Sequence, residues 1–308
     1  MTERYDHILK SHRQYAEWGD EARKTWICQD RWIDLPQAKR AVHELEKILA
    51  YPPRGRMPCL LICGSTDMGK SEILKRFETQ HPAGYDKRRG VSQIPVVRVE
   101  MVPEPLEADF YLQILLTVNH PNCEHYSARA LRTTVHQILK EVSANVLILD
   151  EIDKMLAGTF RQQRIFLNAI RFLTNSLKIP IVCAGTETSR MAFSADPGLA
   201  DRFRALELIP WRDDTAFRQL LVSFTGLLPL RKRSELDTPE VRKQILGMTD
   251  GVTGRIFKLI EVVALDAIDN KKEMLDLSSF EDPDLQLPLL SMQLMEERKG
   301  SKKQYRAT

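Results

Sequence analysis

An α/β fold with a parallel sheet and a small helical lid is what this 308-residue sequence predicts, and three observations carry that reading. Strand-length apolar runs alternate with helical patterns through the middle of the chain, as strand–helix–strand units require. The first run, Cys59-Leu60-Leu61-Ile62-Cys63, leads directly into GSTDMGKS at residues 64–71 and then into a helical pattern at residues 72–78. A later run, Val146-Leu147-Ile148-Leu149, is uninterrupted and ends in Asp150-Glu151-Ile152-Asp153. Continuous apolarity of that length suits a central parallel strand covered on both faces.

Each element follows in order. Residues 1–50 read as a helical arm, in which Asp34 is placed to cap a helix and Gln37 to return the capping bond. Ala41, Val42, Leu45, Ile48 and Leu49 then share one face, and Pro52-Pro53 ends the helix. Trp18, Trp26 and Trp32 lie upstream and are expected to pack the arm on the core or on a neighbouring subunit. Residues 51–210 form the core, with strands expected at 58–63, 94–101, 145–150, 179–185 and 205–209. Helical patterns at 106–118, 128–142 and 160–177 fill the gaps, which gives a five-stranded parallel sheet in a three-layer αβα sandwich. After Pro210-Trp211 the pattern is helical only, defining a C-terminal lid at 211–276. There Thr238-Pro239 is a cap and first-turn pair, and Ile256, Leu259, Ile260, Val263 and Ala267 line one face of the next helix. Residues 277–308 read as a loose basic tail, and no internal repeat is visible.

Composition narrows the class. Hydrophobic content of 43% and charge of 28% are those of an ordinary globular protein. No apolar run approaches the roughly 18–20 residues that a membrane span needs. The opening MTERYDHILKSHR has no signal-peptide core. The five cysteines make no zinc-like pair of CxxC motifs and read as small core residues, so a cytoplasmic protein is expected. Net charge is only +3, with basic clusters at Lys87-Arg88-Arg89, at Arg231-Lys232-Arg233 and in residues 298–306. Each cluster is by default a solvated face, although an oligomer can line a groove with one small patch per subunit.

The chemistry lies in the motifs. Gly64, Ser65, Thr66, Asp67, Met68, Gly69, Lys70 and Ser71 fit a phosphate-binding loop between a strand and a helix N-terminus. Backbone N–H groups wrap the phosphates there, and the helix end favours negative charge. Lys70 would reach the outer phosphates and Ser71 would ligate Mg²⁺. Asp67 puts a carboxylate in the loop, which weakens phosphate binding unless it points to solvent. Asp150 would complete the Mg²⁺ shell, and Glu151 would polarise the attacking water. The chain is therefore expected to bind ATP or GTP with Mg²⁺. Arg202, or second Arg204, stands before the last strand where it could stabilise charge on a neighbouring subunit's γ-phosphate. Arg255 opens a lid helix, at the end that disfavours a cation, and could touch the γ-phosphate from the same chain. Thr186, at the end of the fourth strand, could orient the lytic water.

Taken in order, GSTDMGKS, VLILDEID, IVCAGTET, ADRFRALEL and GVTGRIFKLI resemble AAA+ ATPases of the initiator type. More narrowly they resemble the TniB/TnsC regulators of transposition, related in role to MuB, over roughly residues 30–270. Asp67 and Thr186 depart from the pattern, since many AAA+ proteins carry asparagine at the latter position, and both bear on hydrolysis rate. The resemblance implies ATP and Mg²⁺ as cofactors and slow, oligomer-coupled hydrolysis. It implies head-to-tail assembly with other copies on double-stranded DNA, without sequence preference, and a transposase and a target-selection protein as partners. Arg129 and Arg132, on the helix that starts near Ser127, are the candidate DNA contacts, with a solvated helix face as the alternative. A helicase loader or replication initiator, a small-molecule P-loop phosphotransferase and a nucleotide-gated signalling scaffold are the competing readings.

Overall fold

The computed structural model describes residues 5–88, 90–103 and 106–281. The basic segment at 298–306 and Arg89 lie outside the described residues. The chain divides into two compact units, residues 34–209 and residues 1–33 with 210–308.

The larger unit begins with α2 (Pro36–Leu49), which follows α1 (Asp20–Ile27) of the other unit. It continues through β1 (Cys59–Cys63), α3 (Lys70–Gln80), β2 (Gly84–Asp86), β3 (Val91–Gln93) and β4 (Val96–Glu100). Then come α4 (Glu107–Thr117), α5 (Ala128–Glu141), β5 (Val146–Asp150), α6 (Asp153–Leu156) and α7 (Phe160–Ser176). It closes with β6 (Ile181–Gly185), α8 (Glu187–Ser194), α9 (Pro197–Ala200) and β7 (Phe203–Glu207). Five strands pair in the order β4-β5-β6-β1-β7, all parallel. The expected five-stranded sheet is therefore present, and β2 and β3 form an additional antiparallel hairpin. The three inner strands, CLLIC, VLILD and IVCAG, are buried at every residue. Helices cover both faces, so no strand residue there meets water. One apolar cluster joins these strands to α4, α5 and α7 through Phe110, Tyr111, Leu131, Phe166 and Leu173. Cys59, Cys63, Cys123 and Cys183 are buried free thiols, as expected of small core residues, whereas Cys28 is exposed.

Two local expectations are corrected. Asp34 does not cap α2: Leu35 is the N-cap and Pro36 takes the first turn, where its missing N–H costs nothing. The Asp34 carboxylate instead lies 3.2 Å from Lys39. Gln37 makes no capping bond either; its amide donates to the Ile209 carbonyl and accepts from the Ile209 N–H, both at 2.9 Å. That clamp takes over from the last strand, which ends at Glu207, two residues before the expected stop at 209.

The smaller unit holds α1 with α10 (Thr215–Leu227), α11 (Pro239–Thr249) and α12 (Thr253–Asp269). Thr238 caps α11, its hydroxyl accepting from the Val241 N–H at 3.4 Å, and the expected face of α12 is buried. The division of the chain differs from an arm of 1–50 followed by a core. Residues 1–33 group with the helices, because the fully buried Arg23 guanidinium binds Glu273 twice at 2.7 Å and the Pro229 carbonyl at 3.1 Å. By contrast α2 groups with the sheet unit, burying Ala38, Ala41, Leu45 and Ile48. Trp26 packs within the helical unit against Tyr15 and His12, with Arg31 stacked 3.6 Å over its ring.

Candidate active site

The loop between β1 and α3 is shaped by where its glycines fall. A Cβ on Gly64 would stand 2.7 Å from the Leu208 carbonyl oxygen, so only glycine lets the loop leave β1 beside β7. Gly69 is left-handed at φ +85° and turns the chain into the first residue of α3. Asp67 is left-handed too, at φ +62°, a conformation aspartate tolerates, and it is exposed to solvent. Its carboxylate therefore stands on the water side of the loop, while Met68 beside it is buried.

Lys70 donates to the Gly64 carbonyl at 2.8 Å and to the Ser65 carbonyl at 2.7 Å, so its ammonium lies across the loop. Burial pushes its pKa down, opposed by the charges of Asp153, Asp150 and Asp67. Asp150 ends β5 and is buried. Burial pushes its pKa up, while a hydrogen bond from Ser71 and one from the Glu151 N–H pull it down. Arg98, on β4, lies 3.6 Å from the same carboxylate. Ser71 and Asp150 supply a hydroxyl and a carboxylate, the hard oxygen donors Mg²⁺ takes while keeping waters and phosphates for its other positions. The residues present fit that ion.

Glu151 sits in a left-handed conformation at φ +55°, which carries its side chain away from the strand direction. Its carboxylate pairs with Lys154, which also lies 3.0 Å from Glu100. Glu100 is the register partner of Asp150 across β4–β5, so Lys154 stands between the Glu100 and Glu151 carboxylates. Hydrogen bonds to Glu151 and Glu100 hold the Lys154 pKa up. Thr186, one residue past β6, faces the loop because Cys63 pairs with Gly185. Its N–H and its hydroxyl both donate to Asp153, each at 2.7 Å.

The carboxyl edge of the sheet therefore brings together residues 64–71, Asp150, Glu151 and Thr186. Open α/β sheets bind ligands at this edge. Arg202, Arg204, Arg129 and Arg132 lie elsewhere in this unit. Arg202 precedes β7, whose first residue pairs with Cys59 and whose last pairs with Cys63. At about 3.3 Å per residue that puts Arg202 on the order of 15 Å from the loop, at the opposite edge. There it donates to the Thr174 hydroxyl at 3.1 Å, and its charge opposes the burial that pushes the Cys59 thiol up to about 11. Arg204 pairs with Glu44 on α2. Arg255 is in the helical unit, 2.7 Å from Asp250. On α5, Arg129 is exposed and Arg132 stacks 5.2 Å over Phe172. Sequence reasoning missed Arg98, Glu100, Lys154 and Ser189 as neighbours of the site. Only Asp153 had a visible signal, as the last member of the DEID run.

The family model described as "Bacterial TniB protein" matches residues 23–213. No curated protein sequence matches the chain. Among solved structures, a Walker-type ATPase of Pyrococcus abyssi is similar at 14% identity and TM-score 0.58, covering 90% of this chain and 80% of that one. The Aeropyrum pernix ORC2 protein, in ADPNP–ADP complexes, is similar at 13% identity and TM-score 0.54, covering 82% and 69%. The ORC1 protein of the same organism, in complex with DNA, gives 15% and 0.53, covering 83% and 67%. At these identities the likeness is one of fold, a five-stranded parallel α/β sheet with its helices.

Proposed function

Because the chain belongs to the bacterial TniB family, we propose that it is an ATP-hydrolysing AAA+ regulator of DNA transposition that assembles on duplex DNA. The observation that carries the ATPase part is the buried Asp150 carboxylate and Glu151 at the end of β5, set beside the loop across which the Lys70 ammonium donates to the Gly64 and Ser65 carbonyls. Loop N–H groups and Lys70 bind the triphosphate, and the Lys70 ammonium exchanges its loop carbonyls for phosphate oxygens. Ser71 and Asp150 would hold Mg²⁺, which would supply positive charge to the outer phosphates. Glu151 takes a proton from the water that attacks the γ-phosphorus, for which its carboxylate must leave Lys154. That requirement is consistent with slow hydrolysis.

Arg202 cannot serve the loop of its own chain from the far edge of the sheet. It fits a residue that serves the nucleotide of a neighbouring copy in a head-to-tail assembly, with Arg204 second. Arg255 contributes only once released from Asp250. DNA contact is to phosphates, hence salt-sensitive and tolerant of sequence, with Arg129 and Arg132 as candidates. A transposase and a target-selection protein are the proposed partners, in a cytoplasmic setting. Among the described residues no helix is long and apolar enough to cross a membrane. The test is binding to random-sequence duplex DNA with a slowly hydrolysed ATP analogue, with ADP and without nucleotide, imaged by negative-stain electron microscopy. Tight binding and filaments with the analogue alone are expected. No DNA binding in any state would refute the assembly reading.

A further inference from the structure

Asp153 receives three hydrogen bonds at the end of β6. The Thr186 N–H reaches Oδ2 at 2.7 Å, and Oδ1 accepts from the Thr186 hydroxyl at 2.7 Å and the Ser189 hydroxyl at 2.6 Å. Gly185 makes the arrangement possible. A Cβ there would lie 2.3 Å from the Ser189 Oγ and 2.9 Å from the Asp153 Oδ2, so any other residue would push the carboxylate and hydroxyl off the strand end. Asp153 is also the foremost of the acidic charges acting on Lys70, which sets it at the phosphate loop.

The polarity of this contact has a chemical consequence. A carboxylate only accepts, and a hydroxyl has one proton. Thr186 therefore commits its proton to Asp153, and its oxygen keeps two lone pairs. One is met by the Thr188 N–H at 3.3 Å. The other is open among the described residues. We propose that Asp153 is a positioning residue that turns the Thr186 oxygen into an acceptor for the attacking water, rather than a donor to the γ-phosphate. The proposal rests on the ATPase reading above. In the step, the water oxygen bonds to the γ-phosphorus as the bond to the β–γ bridging oxygen breaks, and that electron pair leaves with ADP. One water proton goes to Glu151 and the other is held by the Thr186 oxygen, which aims the lone pair at phosphorus.

The experiment is single-turnover ATP hydrolysis with analogue affinity measured alongside. It uses the full chain as wild type, Asp153→Asn, Thr186→Val, Thr186→Ser and the Asp153→Asn/Thr186→Val double variant. An asparagine can donate back to the Thr186 oxygen and fill its lone pair; valine removes the oxygen. Each is expected to slow the chemical step about 10- to 100-fold, with analogue affinity within about threefold of wild type. The double variant should be no slower than the slower single one, because both remove the same water contact. Thr186→Ser should recover most of the rate. Additive losses, analogue affinity that falls together with the rate, or wild-type rates in both single variants would each overturn the proposal. Should Asp153→Asn fail to fold, the comparison of valine with serine decides, and equal rates for the two would overturn it. A wild-type chain that turns over no ATP would instead refute the ATPase reading itself.

Discussion

Lys154→Ala should raise the basal rate of ATP hydrolysis by up to about fivefold. The side chains of Lys154 and Glu151 are 35% and 45% exposed, so solvent screens their ion pair. Pairs of that exposure contribute about 0.2–1 kcal/mol. The pair exists only while Glu151 is turned away from water, and its loss lowers the cost of swinging the carboxylate into place by that amount. At 1.4 kcal/mol per factor of ten, the upper end is about fivefold. The change also leaves Glu100 beside Glu151 without the ammonium between them, and the repulsion acts in the same direction. Phosphate release at saturating ATP, with and without DNA, gives the rate, and analogue titration confirms an intact nucleotide site. A rate at or below wild type with unchanged analogue affinity would refute the idea that Lys154 holds Glu151 back.

Three further outcomes are expected. Lys70→Ala should abolish nucleotide-dependent DNA assembly, so ATP-driven binding equal to wild type would count against the loop assignment. Glu151→Gln should bind nucleotide without turning it over and leave assemblies frozen on DNA; sedimentation after an ATP chase checks this, and rapid disassembly would contradict it. Arg23→Ala should destabilise the helical unit by about 3 kcal/mol, the low end for a broken buried pair, because the Glu273 carboxylate loses both Arg23 bonds and keeps only Arg231. That pair also sets a pH dependence: burial raises the Glu273 pKa, but the bonds from Arg23 and the Arg231 N–H outweigh it and hold the pKa below 4.5. A depressed folded-state pKa stabilises fully above the unfolded value and fades as pH falls through the folded value. Thermal melts of wild type should therefore lose stability on acidification below about pH 4.5, and Glu273→Gln should flatten that limb.

The P-loop and the acidic strand end were legible in the sequence because each is a run of consecutive residues beside its own strand. The inner strands were legible for a related reason, since burial on both faces writes an unbroken apolar run. The cap on α2 was misread because Asp34 and Gln37 have the capping spacing, yet Pro36 takes the first turn and Gln37 finds Ile209, 172 positions away. The grouping of residues 1–33 with the helical unit rests on contacts equally distant in sequence. Nothing near Arg23 in sequence announces Glu273, 250 positions on.

What the sequence determined by itself was the class of fold, the glycine-rich loop after β1 and the carboxylates at the end of β5, all consequences of local periodicity and local spacing. What only the tertiary structure decided was how those groups are set. The register of β4 on β5 puts Glu100 beside Asp150, and the pairing of β6 with β1 delivers Thr186 to the loop. The Thr186 hydroxyl is aimed at an aspartate 33 residues earlier. Arg202 stands at the far edge of the sheet because β7 runs parallel to β1 from that end. The physical reason is that hydrogen bonds and ion pairs depend on distance in space, which a folded sheet sets between residues that the chain order leaves far apart.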